Sequence, residues 1–467
     1  MTDQHRYEFL GGHGCPNLKT PHIDALMQEG VDFRRTYSQT AICMPSRVTV
    51  FSGQYLHTHG IQSNSTTADM GHLTLLPALL RDAGYATAMI GKNHAGHHAQ
   101  IGFEHARICA GEHTGENNDY LNYLESHDLA QYWYGGGRPS GLEKIREYMA
   151  YTSRIPYRHS VEAWTGDESI RYLRDRDKTK PFFLWTSFER PHPPICVPTD
   201  NPFPYDPDAV QLPPYSENWY NLPESCRPGV ENIWNVHHTG EGPLRQAIAN
   251  YMSLISMIDD QVGRIVAELA AQGELENTLI VFTADHGEFA GENGQFGKNV
   301  STYDVLYRVP LVWYWKGKTQ HDQFYEPTEL TDVMPTILDL CGLETPRTVQ
   351  GRSMAPAVLG SVLQCNAPWQ GRDAVFFETP FVKTVRTRTH KLSVCWRGHH
   401  AWGMLFDLEA DPHETRNLYD RPEYAWVRHD LELRLLRWFI ETQQPQRHGC
   451  GRGETPPSPD WRWFRAE

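Results

Sequence analysis

An α/β protein with a mostly parallel central sheet sandwiched by helices, followed by a small C-terminal antiparallel-sheet subdomain, is what the sequence predicts. Three features carry that expectation. Short apolar runs stop abruptly at polar, potentially reactive residues; helical periodicity precedes these runs; and near Pro368 the texture changes to short β-rich segments with tight turns. Continuous apolar strands are what a sheet buried on both faces requires, and their alternation with helices implies parallel crossovers.

The first run, Thr87–Ile90, ends at Gly91-Lys92-Asn93-His94. The second, Pro181–Phe188, ends at Glu189-Arg190-Pro191-His192-Pro193-Pro194, and the third, Thr278–Thr283, ends at Asp285-His286-Gly287-Glu288. Ahead of the third, apolar residues recur every three or four positions from Ile248 to Leu269, the stripe of a long amphipathic helix. In open α/β sheets the ligand crevice lies beyond the carboxyl ends of the strands, so the three polar clusters are expected to converge there. Residues 111–160 and 193–243, rich in Pro, Gly, Asn and aromatics, read as long surface excursions over that crevice and as candidates for the substrate pocket. The chain divides into a catalytic domain over 1–370 and a subdomain over 371–467. In the latter, Ala374–Glu378, Thr384–Arg388 and Lys391–Trp396 read as strands and Arg428–Thr442 as a terminal helix.

Composition narrows the function. With 43 Lys+Arg against 57 Asp+Glu in 467 residues the formal charge is −14, which argues against a nucleic-acid partner or a polybasic membrane surface. A metal and a few convergent cations can still reverse the potential locally, so an anionic substrate remains open. No apolar run approaches the ~18 residues of a membrane helix. The opening Met1-Thr2-Asp3-Gln4-His5-Arg6 carries no signal-peptide pattern, which tilts the expectation towards a soluble cytoplasmic protein. Nine cysteines, an odd number without a CxxC pair, suit neither a disulfide framework nor a zinc ribbon.

The most specific element is Cys43-Met44-Pro45-Ser46-Arg47, followed by Phe51-Ser52-Gly53. Pro45 and Ser46 suit a first helical turn, which places Cys43 at a helix start where free N–H groups favour an anion. Cys-x-Pro-Ser-Arg resembles the signature of the type I sulfatases, a family of the alkaline phosphatase superfamily in which a dedicated enzyme oxidises the Cys to formylglycine. The resemblance continues through Lys19-Thr20-Pro21-His22, Gly91-Lys92-Asn93-His94, Pro191-His192-Pro193-Pro194, Asp259-Asp260-Gln261, Asp285-His286-Gly287-Glu288, Leu330-Thr331-Asp332 and Leu405-Phe406-Asp407-Leu408.

That resemblance implies an alkaline-phosphatase-like fold and hydrolysis of a sulfate ester, of a carbohydrate or a small organic sulfate, through formylglycine at position 43. It implies one divalent cation held by Asp3, Gln4, Asp285 and His286 beside the modified Cys43. Oxygen-rich ligation favours Ca²⁺, with Mg²⁺ or Mn²⁺ as alternatives. By the same resemblance Arg47 orients the nucleophile, Lys92 binds sulfate oxygens and His94 assists release of sulfate. His192 and Lys298 flank the leaving oxygen. A formylglycine-generating enzyme is the implied partner; oligomeric state stays open. In the family a buried strand leads into the Asp-Gln pair, whereas only Met1-Thr2 precede Asp3 here, so a first strand without its beginning is expected. Two alternatives stand beside the sulfatase. One is a phosphonate monoester or phosphodiester hydrolase of the same superfamily, which shares the Asp-Gln and Asp-His pairs. The other is a non-catalytic anion-binding relative in which Cys43 stays a thiol.

Overall fold

The computed structural model describes residues 1–64, 69–109, 117–133, 150–213, 234–236, 240–298, 301–360, 369, 371–397 and 400–443. The strands His105–Cys109, Ala86–Lys92, Phe182–Pro191 and Thr2–Asp3 lie side by side in that order, all parallel. Leu279–Thr283, Leu311–Trp315, Val31–Phe33 and Asp322–Phe324 form a second row, and a parallel bridge from Thr2 to Ala284 joins the two. Only Leu311–Trp315 runs against the rest, since it is antiparallel to both neighbours while Asp322–Phe324 is parallel to Val31–Phe33. The expected mostly parallel sheet is therefore present, with one reversed strand that the apolar runs did not reveal.

Period-two alternation buries both faces of this sheet. Leu184, Phe188, Phe282, Val312 and Tyr314 point to a core shared with Leu173 of the helix Val161–Asp175 and with the apolar stripe of the helix Glu241–Ala271. Phe183, Trp185, Leu311 and Trp313 point the other way, onto Met44, Val48, Val333 and Met334. The long helix starts well before the periodicity that announced it, at Glu241-Gly242-Pro243. Gly-Pro reads as a loop, yet proline is tolerated in a first helical turn, where its missing N–H has no partner to lose. Within the excursion expected over 111–160 there is also a helix, Asp119–Glu125, whose Asn118 side chain accepts a hydrogen bond from the Leu121 N–H as its N-cap; the rest of the two excursions lies partly outside the described residues.

Thr2–Asp3 is a two-residue strand. The Met1 ammonium donates to the Thr186 carbonyl at 2.8 Å, and Met1 lines a cavity of about 790 Å³ together with residues of Phe182–Pro191 and Leu279–Thr283.

The C-terminal sheet is an antiparallel meander of four strands, Ala374–Glu378, Val382–Thr387, His390–Arg397 and His400–Asp407, where the sequence announced three. Gly403 conceals the fourth, because a glycine weakens a strand pattern. It is needed there: a Cβ at this position would lie 2.0 Å from the Tyr419 ring. One face of the meander (Val375, Phe377, Met404, Phe406) packs on Tyr37, Tyr303 and Tyr307 of the larger unit. The other face receives the helix Ala425–Thr442 through Leu431, Leu435 and Trp438. Trp438 stacks on Phe376 at 4.9 Å and meets Tyr55 and His57 edge-on at 5.1 and 5.0 Å, so one side chain ties the helix to both units. Trp438→Ala is expected to cost about 3–5 kcal/mol, read as a lowered denaturant midpoint; a loss below about 1 kcal/mol would contradict this account of the helix.

Candidate active site

The polar strand ends meet at one edge of the sheet, as parallel strands require, and a buried helix supplies the remaining groups. Cys43–Ser52 is helical with extended Ile42 as its N-cap, which sets Cys43 at the first helical position. Arg47 follows one turn later on the same face. Its guanidinium is 1% exposed and lies between two fully buried carboxylates. Nη2 donates to Asp3 Oδ2 and Nε to Asp285 Oδ2, both at 2.9 Å, while Nη1 donates to Ser187 Oγ at 2.7 Å. Such burial is tolerable only because each charge is paired.

Asp3 ends the first strand and also takes the Lys92 ammonium at 2.8 Å, Lys92 being the last residue of Ala86–Lys92. Burial raises the Asp3 carboxyl, but Lys92, His192 and Arg47 together hold it well below the usual range. Burial and the nearby Asp3 push the other way at Asp285, up to about 6. Gln4 has φ 61°, unusual for a residue with a side chain. Its N–H donates to Asp285 Oδ1 at 3.0 Å, and its carbonyl accepts from the Tyr251 hydroxyl at 2.6 Å, which together hold that conformation.

His286, just past Leu279–Thr283, has Nδ1 at 3.0 Å from the Gly287 carbonyl. A carbonyl only accepts, so Nδ1 carries the proton and the Nε2 lone pair faces the crevice. Nε2 is 3.3 Å from Cys43 Sγ and 2.8 Å from the Lys298 ammonium. Lys298 Nζ also lies 2.7 Å from Cys43 Sγ, and Asp3 Oδ1 lies 3.7 Å from it. His192 Nδ1 sits 2.6 Å from the Pro193 carbonyl, and the imidazole lies within electrostatic reach of Lys92, Asp3, Cys43 and Lys298. Burial and Asp3 raise the Cys43 thiol, yet Lys298, Lys92 and His286 bring it well below its ordinary value.

The residues singled out by sequence thus converge: Asp3, Gln4, Cys43, Arg47, Lys92, His192, Asp285, His286 and Lys298 form one connected cluster. His94 is buried two residues beyond Lys92, and none of the contacts just given runs through it. Three further residues were given no role by the sequence reading. Ser187 receives Arg47 from inside an apolar run. Arg190, 1% exposed, holds the 192–194 turn by donating to the carbonyls of His192 and Pro194 at 2.8 and 2.7 Å. Glu288 accepts from Gln4 Nε2 and from the Ala290 and Gly297 N–H groups; burial pushes it up to about 7 against those donors. The available signal was charge within otherwise buried text, since Arg and Glu are rarely buried unless engaged.

A divalent cation fits this donor set. One ligand atom each from Asp3, Cys43, Asp285 and His286 lie within 4.8 Å of one another. Gln4 adds a test independent of charge: its Oε1 is buried without any hydrogen-bond donor, the situation of an oxygen that meets a cation.

A mostly parallel sheet whose strand ends deliver two carboxylates, an imidazole and several cations to a helix-borne thiol defines an alkaline-phosphatase-like hydrolase. Family comparison places the chain within that class. The model of the family described as "Sulfatase" matches residues 1–343, and that described as "N-sulphoglucosamine sulphohydrolase, C-terminal" matches 291–441. The chain belongs to the sulfatase family and is a sulfuric ester hydrolase. It is 29% identical to an arylsulfatase of Clostridium perfringens over 91% of this chain and 90% of that one. An N-acetylglucosamine-6-O-sulfatase of Bacteroides thetaiotaomicron is 27% identical over 95% and 85% of the two chains. Among solved structures, a phosphonate monoester hydrolase of Silicibacter pomeroyi superposes with a TM-score of 0.79 at 25% identity, covering 95% of this chain and 94% of that one. Among the described residues no helix is long and apolar enough to cross a membrane.

Proposed function

We propose that the protein cleaves the sulfate ester of a saccharide through Cys43 oxidised to formylglycine, with one divalent cation, Ca²⁺ before Mn²⁺ or Mg²⁺, held by Asp3, Gln4, Asp285 and His286. The observation that carries this is the position of the Cys43 sulfur, shared by the carboxylate–imidazole cluster and the Lys298 ammonium. A hydrated formylglycine supplies a hydroxyl to attack sulfur and a second hydroxyl to expel sulfate afterwards. The cation supplies charge neutralisation for the ester oxygens.

The chain's own groups do the rest. Arg47, pinned by Asp3, Asp285 and Ser187, fixes the first helical turn and with it the residue-43 side chain. Lys92 and Lys298 receive sulfate oxygens, and His192 or Lys298 hands a proton to the departing alkoxide. His94 is placed as an aid to sulfate release by family resemblance alone. The saccharide assignment rests on the N-acetylglucosamine-6-O-sulfatase likeness, and a formylglycine-generating enzyme is the maturation partner. The division into 1–370 and 371–467 is proposed on the same footing, the second unit being the meander and its helix.

The test has two arms. Mass spectrometry of the Cys43 peptide, after expression with the maturation enzyme, is expected to show an aldehyde in place of the thiol; a thiol throughout would remove the nucleophile. Rates on p-nitrophenyl sulfate and on a phenyl phosphonate ester are then compared. A specific observation favours a second reading as phosphonate or phosphodiester hydrolase: Gln4 and His286 stand in the donor set, and the fold matches a phosphonate monoester hydrolase closely. A much faster phosphonate reaction would replace the first reading with this one.

A further inference from the structure

The geometry points to Glu288 as the positioning residue that aims the Gln4 oxygen into the cation site and, with the same carboxylate, fixes the loop carrying Lys298. This rests on the metal site proposed above. A primary amide offers an oxygen on one side and an NH2 on the other, and only its neighbours decide which way it faces. Glu288 is fully buried, and its Oε2 lies 2.5 Å from Gln4 Nε2. With Glu288 Oε1 taken by backbone N–H donors, Oε2 accepts from the Gln4 amide, which turns its NH2 towards Glu288. Oε1 then faces the opposite side, where it is buried and meets no donor. The Gln4 backbone lies beside the cation site: Asp3 is the preceding residue, and the Gln4 N–H donates to Asp285.

The second oxygen of Glu288 is equally committed. It accepts the Ala290 N–H at 3.2 Å and the Gly297 N–H. Gly297, at φ 102°, immediately precedes Lys298, whose Nζ is 2.7 Å from Cys43 Sγ. One side chain thus touches both a proposed metal donor and the backbone that carries the cation beside the residue-43 side chain.

The polarity of this contact is reversible, which makes it testable. In Glu288→Gln the backbone N–H groups of Ala290 and Gly297 claim the new amide oxygen, so its NH2 faces Gln4 and drives the Gln4 amide to turn over. An NH2 then points at the cation. Mn²⁺ binding to the full chain, followed by the EPR signal of free Mn²⁺, is expected to weaken about 10- to 100-fold, the usual scale for residues that orient a ligand. The double variant Q4E/E288Q restores an acceptor facing a donor and leaves a second carboxylate oxygen for the cation. Its affinity is expected to return to within about threefold of the parent. E288Q that melts like the parent and binds Mn²⁺ equally well would overturn the proposal, as would a double variant no better than E288Q. Should E288Q fail to fold, Gln4→Ala decides: a tenfold weaker site supports Gln4 as the aimed ligand, and parental affinity overturns it. A parent that binds no Mn²⁺ would instead overturn the metal reading itself.

Discussion

Cys43→Ala, expressed with the maturation enzyme, is expected to lose about 10⁴-fold or more in kcat/KM on an aryl sulfate, the scale seen when a covalent nucleophile is removed. That is about 5.5 kcal/mol of transition-state stabilisation. The fold should hardly notice. Cys43 is the first residue of a helix whose other end is closed by Gly53 in the left-handed conformation, and the change removes one buried sulfur. A stability change of about 1 kcal/mol or less is expected by denaturant titration. The contrast between the two readouts is the informative part. Lys298, His286 and Asp3 all remain around the vacated position, so activity surviving within tenfold would mean that one of them, and not residue 43, delivers the attack.

Arg47→Met is the complementary case, expected to act on stability before activity. Its guanidinium separates Asp3 and Asp285, all three at or below 1% exposure. Removing one partner of a buried ion cluster typically costs about 3–5 kcal/mol, because the charges left behind are uncompensated. Measured by chemical unfolding in chelator, the variant should show that loss. Added divalent cation should recover part of it, since a bound cation supplies positive charge at the same two carboxylates and stabilises the folded state by mass action. An unchanged midpoint in chelator would mean that Lys92 and His286 suffice to balance the pair. Recovery by cation in the variant exceeding that in the parent would trace the gain to this charge.

Much of the site was legible because its residues terminate strands. Lys92, His192 and Asp285-His286 each follow an apolar run, and where parallel strands end together such residues must meet. Arg47 was legible through family resemblance, as the last residue of Cys-x-Pro-Ser-Arg. Lys298 was not legible on its own, being one lysine in a loop; family resemblance singled it out, and the Glu288–Gly297 bond shows how it is held. Ser187 and Arg190 lie inside or just past an apolar strand, where the pattern speaks of burial and conceals a polar task. The fourth strand of the C-terminal meander was hidden by Gly403, whose missing side chain answers to Tyr419, sixteen residues further on.

The sequence by itself determined the class of sheet, the strand ends that bear chemistry, and the Cys-x-Pro-Ser-Arg turn that names the family, because these are local: periodicity, caps and contiguous motifs are written in neighbouring residues. Only the tertiary structure decided the reversed strand Leu311–Trp315, the placement of Arg47 between Asp3 and Asp285, and the orientation of the Gln4 amide by Glu288. Those depend on which distant groups share a dry interior. There an unpaired charge or an amide turned the wrong way is costly, and that cost is set by partners tens to hundreds of residues apart, not by the residues beside it.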